Sequence, residues 1–510
     1  MAGAAMILTF APFGAWWLQP LLLAVLFLLW RNATPGSAAA TGFVFGMGWF
    51  CGGVSWVYIS MHDIGGMPML IAAAATLLFA MVLSGYTALA GWLQARLMRT
   101  AQWPAPGTRG PWLRTLVVLP AALTLCEWLR GWIFTGFPWI APGYAHTDGP
   151  LAGFAPLIGV HGLTFLTALT ASLMAHGATE AINRKPLVGA ILKPLSALVL
   201  LLACGAGLTI VEWTRNAGAP LSVSLLQGNI PQEMKFVEGR FESTLDTYAR
   251  LAERHQVTLI VLPETALPRM LHTIPRAALE RLDTRTSARG ATLISGVPRA
   301  GPSQGGPARY FNSAITLGRE AGQHYDKAHL VPFGEFIPFG FRWFVDLMQM
   351  PLGDFASGST AQTPLHIADQ RIAINICYED LFGEEIIRQL PEATLLLNLS
   401  NVGWFGDSLA PHQHLQASRM RALETGRPML RATNTGATAV IDARGRLTQA
   451  LPFFTEGALA ATVQGRSGMT PYAYTGNWLV ISLCALALGS VGSMLAWARW
   501  HARRPARAPA

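Results

Sequence analysis

Apolar residues in this chain come in two rhythms. Over roughly the first 210 positions, and again near the C-terminus, they form long and nearly unbroken runs; between these regions they form short runs separated by polar loops. Eight long runs can be drawn, at about 5–17, 19–31, 38–61, 68–96, 114–133, 155–179, 191–211 and 476–498. Apolar stretches of roughly 18 residues or more predict helices that cross a bilayer. The first two runs are short and meet near Pro20, so they read as one broken or re-entrant span as readily as two.

The stretch of roughly 215–470 is patterned differently. SVSLLQ (222–227), TLIVLP (258–263), ATLISGV (291–297), RIAINICY (371–378), TLLLNLS (394–400) and ATAVI (437–441) predict buried strands. Glu242–Gln256 and His412–Gly426 carry apolar residues at three- and four-residue spacing, which predicts amphipathic helices. Strands alternating with helices predict an α/β layered domain, long enough to bury a core of its own. The chain has no tandem repeat and no low-complexity tract apart from its Ala/Arg/Pro tail.

Composition sharpens this picture. Of 510 residues, 52% are apolar and 13% charged, against about a quarter charged in soluble domains. The net charge of +9 is unevenly placed. Between Glu212 and Arg466 there are 24 basic and 24 acidic residues, which leaves 13 and 4 elsewhere, and their difference is the whole +9. Basic residues beside apolar runs are topology signals, and this distribution argues against a nucleic-acid-binding face. Arg31 follows the second run; Arg96, Arg99, Arg109 and Arg114 follow the fourth; Arg184, Lys185 and Lys193 follow the sixth; Arg499, Arg503, Arg504 and Arg507 follow the eighth. The loops at 62–67 and 134–154 hold no Lys or Arg. This alternation predicts cytoplasmic termini and an outward-facing domain between the seventh and eighth runs. The N-terminus lacks the basic region of a cleavable signal peptide.

Cys51, Cys126, Cys204 and Cys484 fall in the apolar runs, so Cys377 is the one thiol of the polar stretch and has no internal disulfide partner there. It follows the apolar run IAINI, as Glu264 follows LIVLP; Lys327 lies between them in YDKAHLVPFGEFIP. A buried strand fixes the backbone while the loop after it exposes a side chain. Together the three residue types fit acyl transfer: a thiolate attacks a carbonyl, a carboxylate takes the thiol proton, and an ammonium stabilises the oxyanion. Burial would raise a carboxylate and a neighbouring ammonium would favour thiolate, bringing acid and base closer.

LPETALP, YDKAHLVPFGEFIP and ICYED resemble the Glu–Lys–Cys triad segments of the nitrilase superfamily. With GFPW at 136–139, QGNIPQ at 227–232, SNVGWFGDS at 400–408, RMRALETGRPMLRATNTG and TPYAYTGNW, the chain resembles its membrane-bound branch, the apolipoprotein N-acyltransferases. The resemblance implies a multi-span α-helical membrane domain carrying an extracytoplasmic αββα sandwich. Its implied bounds are a membrane domain of about seven spans at 1–213, a catalytic domain at 214–470, a last span at 471–498 and a basic cytoplasmic tail at 499–510. It implies ping-pong transfer of the sn-1 acyl chain of a phospholipid, often phosphatidylethanolamine, to the amine of diacylglyceryl-cysteine in an apolipoprotein. It also implies a bacterial inner-membrane location, a periplasmic catalytic domain and no cofactor. Carried over by position, Cys377 is the nucleophile, Glu264 the base and Lys327 the oxyanion-stabilising cation, supported by Glu335, Glu379, Tyr378 and Asn312. The sequence departs from the family pattern at Phe236, where a Trp is expected after the Lys.

Other features are weighed beside these. Phe333–Phe355 is rich in aromatic and apolar residues, among them Phe341, Trp343 and Phe344, and reads as a lipid-gating lid or as core packing; Trp404 joins this substrate-side set. Glu127 and Arg130 are three apart and predict a structural pair within a span. His62, Asp63, His146 and Asp148 lie on outward loops where a headgroup could rest. His412 and His414 are two apart, which fits a surface or packing role better than a metal-ligand pair. A membrane-anchored amidase would share the triad, and a transporter would need midplane charges and internal repeats.

Overall fold

The computed structural model describes residues 1–99, 110–183, 191–235, 237, 239–301, 308–338, 340, 342 and 355–502. These fall into two compact units, one of residues 1–55, 74–211 and 475–510, the other of residues 56–73 and 212–474.

The first unit is helical. Its helices are α1 (Leu18–Trp30), α2 (Pro35–Gly53), α3 (Met69–Arg99, entering from the other unit), α4 (Leu119–Arg130), α5 (Ala155–Ile182), α6 (Lys193–Leu208) and, after the second unit, α10 (Trp478–Ala502). Met69–Met98, Pro150–Ile182 and Trp478–Trp497 are each long and apolar enough to cross a membrane; a fourth span results if Pro35–Gly53 and Trp56–Ile64 form one. The expected run at 5–17 gives two short turns, Ala2–Ala5 and Met6–Thr9, rather than a long helix. Small residues let helices approach. A methyl group on Gly42 would lie 2.6 Å from the Thr87 carbonyl, and one on Gly91 would lie 2.5 Å from that of Ala38. Glu127 and Arg130 do pair, at 2.5 Å and fully buried, and Arg130 also donates to the carbonyls of Phe137 and Trp139.

The second unit holds two six-stranded sheets. Its strands are β1 (Leu221–Gln227), β2 (Leu259–Val261), β3 (Thr292–Ala300), β4 (Tyr310–Gly318), β5 (His324–Asp326), β6 (Leu365–Ile367), β7 (Gln370–Ile376), β8 (Leu395–Ser400), β9 (Met429–Thr433), β10 (Ala439–Ile441), β11 (Leu447–Ala450) and β12 (Gly457–Val463). One sheet runs β12-β1-β2-β3-β4-β5, the other β11-β10-β9-β8-β7-β6. At their centres β1, β2 and β3 are parallel, as are β7, β8 and β9. Parallel strands covered on both faces read as continuous apolar runs, which is how five of the six predicted strands look in sequence.

Val223, Val261 and Ile294 of the first sheet meet Ile374, Leu397 and Leu430 of the second in a buried apolar core. Each such side chain contributes about 1.5–3 kcal/mol on burial. Outside the first sheet, α7 (Phe241–Ala252) and α8 (Arg276–Ala288) pack through Phe241, Leu245, Tyr248, Ala278 and Leu282. Outside the second, α9 (Ala410–Thr425) packs through Ala422 against Ala373, Leu396 and Met429. The layers are therefore helix, sheet, sheet, helix, as expected.

Candidate active site

Glu264 leaves β2 two residues after Leu262, whose N–H still pairs with Ile294 at 2.8 Å. The turn that follows presses on β3. A methyl group on Gly296 would lie 2.5 Å from the Thr265 nitrogen and 2.6 Å from the Glu264 Cα, so that strand position must be glycine. Lys327 follows β5 and keeps one more strand bond, its N–H to Asn312 at 2.8 Å. Cys377 directly follows β7 and opens the turn Cys377–Leu381 with φ of 54°. A left-handed backbone at a residue with a side chain costs roughly 1–3 kcal/mol, and persists where surrounding contacts enforce it.

Glu264 and Lys327 are brought into contact, and the charges of both act on Cys377. Lys327 Nζ stands 3.7 Å from Glu264 Oε1 and 2.8 Å from Glu335 Oε2. Asn312 Nδ2 donates to Glu264 Oε1 and to Glu335 Oε1, both at 2.7 Å, and the Asn401 N–H donates to Glu264 Oε2 at 2.7 Å. Glu264 is thus an acceptor at both oxygens, the arrangement of an ionised carboxylate. Glu379 is another buried acceptor, taking the N–H groups of Ile376, Ala328 and His329 and the Tyr325 hydroxyl at 2.7–3.1 Å.

Electrostatics tie the sulfur to this cluster. Burial pushes the Cys377 thiol up and the Glu264 charge pushes it further, while the Lys327 ammonium pulls it down; the net direction is up. Burial would discharge Lys327, but Glu335 and Glu264 outweigh it and hold the ammonium well above its usual range. Burial thus favours the thiol form of Cys377, and the neighbouring carboxylates favour the ammonium of Lys327. Burial also raises Glu379 to about 7, against the opposing pull of its N–H donors and Lys327. A second lysine is present: Lys235 donates from Nζ to the Glu264 carbonyl at 3.2 Å, and burial lowers it to about 8 despite Glu264 and Cys377.

Family models agree with the two halves of the chain. The apolipoprotein N-acyltransferase N-terminal domain matches residues 2–173, and carbon-nitrogen hydrolase matches residues 207–472. Apolipoprotein N-acyltransferase of Ralstonia nicotianae is 46% identical over 484 residues, covering 94% of this chain and 89% of that protein. The Nitrosomonas europaea protein of the same name is 44% identical over 97% of this chain and 96% of its own. The chain belongs to the apolipoprotein N-acyltransferase family.

Among the residues expected at this family member's site, Glu264, Lys327, Glu335, Glu379, Tyr378 and Asn312 are buried and Cys377 is half-buried. Trp404 is 43% exposed, and sits in the turn Val402–Phe405 just after Asn401. Phe236, Phe341, Trp343 and Phe344 lie outside the described residues. One expectation is corrected: His146 is no surface group but is fully buried, 3.2 Å from Gln19 Oε1 and against the Trp16 ring, so it is enclosed away from any headgroup. Of the two roles read for His414, surface or packing, the structure shows packing: it is buried 3.0 Å from the Cys377 carbonyl.

Sequence reasoning missed Lys235, Asn401, Asp380 and Arg431. QGNIPQ and SNVGW were visible as motifs, yet what joins them is a contact: Asn401 Nδ2 donates to Gln232 Oε1 at 2.7 Å. A charged residue in a strand was the available signal for Arg431 in MLRAT.

Proposed function

We propose that this chain moves the sn-1 acyl group of a phospholipid, phosphatidylethanolamine being the implied donor, through a thioester on Cys377 to the amine of diacylglyceryl-cysteine in an apolipoprotein. Family membership makes the chain an N-acyltransferase, which favours transfer over the hydrolysis of an amidase. The observation that carries the mechanism is the buried Glu264–Lys327 pair, 3.7 Å apart, in whose field the Cys377 sulfur lies.

In the first half, Glu264 takes the thiol proton as sulfur attacks the ester carbonyl. The Lys327 ammonium meets the oxyanion that forms. Collapse breaks the carbon–oxygen bond, and Glu264 returns the proton to the leaving alkoxide, which releases a lysophospholipid. In the second half, the neutral amine adds to the thioester, Glu264 accepts one amine proton, and the carbon–sulfur bond breaks. That proton restores the thiol. Asn312 and Glu335 hold base and cation in register, which is worth orders of magnitude when atoms must meet in line.

The apolar helices and the family place the chain in the bacterial inner membrane. Within that setting, our reading puts 214–470 in the periplasm between a membrane domain at 1–213 and a last span at 471–498, with both termini and the 499–510 tail cytoplasmic. Arg114 supports it: its guanidinium donates to the carbonyls of Arg31 and Trp30 at 2.5 and 2.7 Å and to Gln94 at 2.9 Å, so three basic segment ends share one end of the helical unit.

The test uses the purified chain with phospholipid labelled in its sn-1 chain. Wild type acquires a hydroxylamine-labile label on the Cys377 peptide, and Cys377→Ala does not. A diacylglyceryl peptide then discharges the label into an N-acylated product. Release of free fatty acid instead would mean a hydrolase.

A further inference from the structure

The turn that carries the nucleophile rests on a buried polar cluster that the reaction steps above leave unused. Asp380 lies three residues after Cys377, His414 and Ser418 lie on α9, and Arg431 lies on β9; all four are fully buried. Arg431 Nη1 donates to Asp380 Oδ2 at 2.7 Å and to Ser418 Oγ at 2.5 Å, and Ser418 donates to the same carboxylate oxygen. Arg431 Nη2 stands 2.7 Å from His414 Nδ1.

A guanidinium has hydrogens to give and no lone pair to receive, so His414 Nδ1 is the accepting nitrogen. The ring proton is then on Nε2. That nitrogen is 3.0 Å from the Cys377 carbonyl oxygen and 2.7 Å from Asp380 Oδ1, so its hydrogen faces both acceptors. Burial, with Arg431 adding to it, lowers the imidazole's affinity for a second proton against the opposing pull of Asp380 and the Cys377 carbonyl. The same carbonyl receives a second donor, Asn398 Nδ2 at 3.1 Å, from β8. Two side chains on separate elements thus converge on the carbonyl of the nucleophile itself, whose own φ is left-handed.

We infer that His414 is a positioning residue for acyl transfer, its Nε2–H and Asn398 together fixing the Cys377 carbonyl so that the left-handed turn holds the sulfur in line with the carbonyl it attacks. Asp380, Arg431 and Ser418 set the ring's tautomer and angle. The inference rests on the thioester reading above. A ring that merely filled space in α9 would have no need of a fixed tautomer or of a hydrogen bond to the nucleophile's own main chain.

The experiment compares wild type with His414→Leu, His414→Gln and Asn398→Leu, using phospholipid labelled in its sn-1 chain. It reads kcat and KM for adduct formation, melting temperature, and the rate of Cys377 alkylation by iodoacetamide. A glutamine Nε2 reaches about where the imidazole Nε2 was. In His414→Leu, kcat falls roughly 30- to 100-fold, the scale of a small misplacement, while KM and alkylation stay within about threefold. His414→Gln recovers roughly tenfold or more of that loss, and Asn398→Leu falls in the same direction as His414→Leu. Wild-type kcat in His414→Leu overturns the inference. So does equal loss in Leu and Gln variants that tracks a lowered melting temperature. If His414→Leu does not fold, the Gln and Asn398 variants decide by the same criteria. Absence of any adduct on wild type would instead defeat the thioester reading, before any variant is compared.

Discussion

Glu379 accepts the main-chain N–H of Ile376 at 2.7 Å, one residue ahead of the nucleophile. The other oxygen of that carboxylate takes the N–H groups of Ala328 and His329 at 2.7 and 3.0 Å, directly after Lys327. One side chain therefore ties the loop of the cation to the strand end of the thiol, across 50 residues of sequence. Glu379→Gln presents an NH2 group to at least one of these donors. Folding is expected to weaken by about 1–3 kcal/mol and thioester formation by roughly 10²-fold; labelled-adduct rates near wild type would show that the tie is dispensable.

The same residue gives a pH signature. An acid whose pKa is higher folded than unfolded keeps its proton longer in the native state. Between its ordinary 4.5 and about 7, native Glu379 binds more protons than the unfolded chain, so its contribution to stability falls as pH rises through that window and levels off above it. The loss is at most about 3 kcal/mol, from 1.36 kcal/mol per unit. Thermal melting in detergent at the two ends of the window should show wild type losing more than Glu379→Gln; parallel curves would rule the mechanism out.

Gly296→Ala tests the seat of the base. Its new methyl would meet main-chain atoms of Glu264 and Thr265 at 2.5–2.6 Å, and main chain cannot step aside as a side-chain tip can. The expected outcome is a roughly 10²-fold lower rate of adduct formation with the circular dichroism of the sheets retained. A rate within twofold of wild type would mean that Glu264 need not sit where β3 puts it.

Asn312 stands between two carboxylates at 2.7 Å each. Asn312→Leu keeps the branched shape and removes both N–H donors, while the Asn401 N–H and Lys327 still face Glu264 and the Val331 N–H and Lys327 still face Glu335. Hydrogen bonds to charged groups are worth about 1.5–3 kcal/mol each, so chemical denaturation should shift by about 3 kcal/mol, with at least about tenfold slower acylation.

Glu127 and Arg130 offer a contrast in the helical unit. Removing one partner of a buried ion pair costs about 3–5 kcal/mol because the other charge is stranded. Glu127→Leu should melt well below wild type, and Glu127→Leu with Arg130→Met should regain at least half of the deficit with acyl transfer preserved. Loss of transfer in a well-folded double variant would point to a proton path through the pair.

The apolar runs settled the division into a helical part and a layered α/β part, because burial in lipid or between two sheets leaves continuous apolar stretches whatever the partner. They also located Glu264 and Cys377, since a catalytic group just after a buried strand is a local pattern. The strands missed in sequence, such as β4, β9 and β12, carry Asn312, Arg431 or runs of alanine, and polar or small residues hide a strand unless its neighbours are known. The Glu379 tie, the His414 tautomer, the left-handed turn at Cys377 and the buried Lys235 were decided by tertiary structure alone. Each depends on groups 17 to 50 or more residues apart meeting in a site shielded from water, where a hydrogen bond or a charge counts for far more than chain distance can foretell.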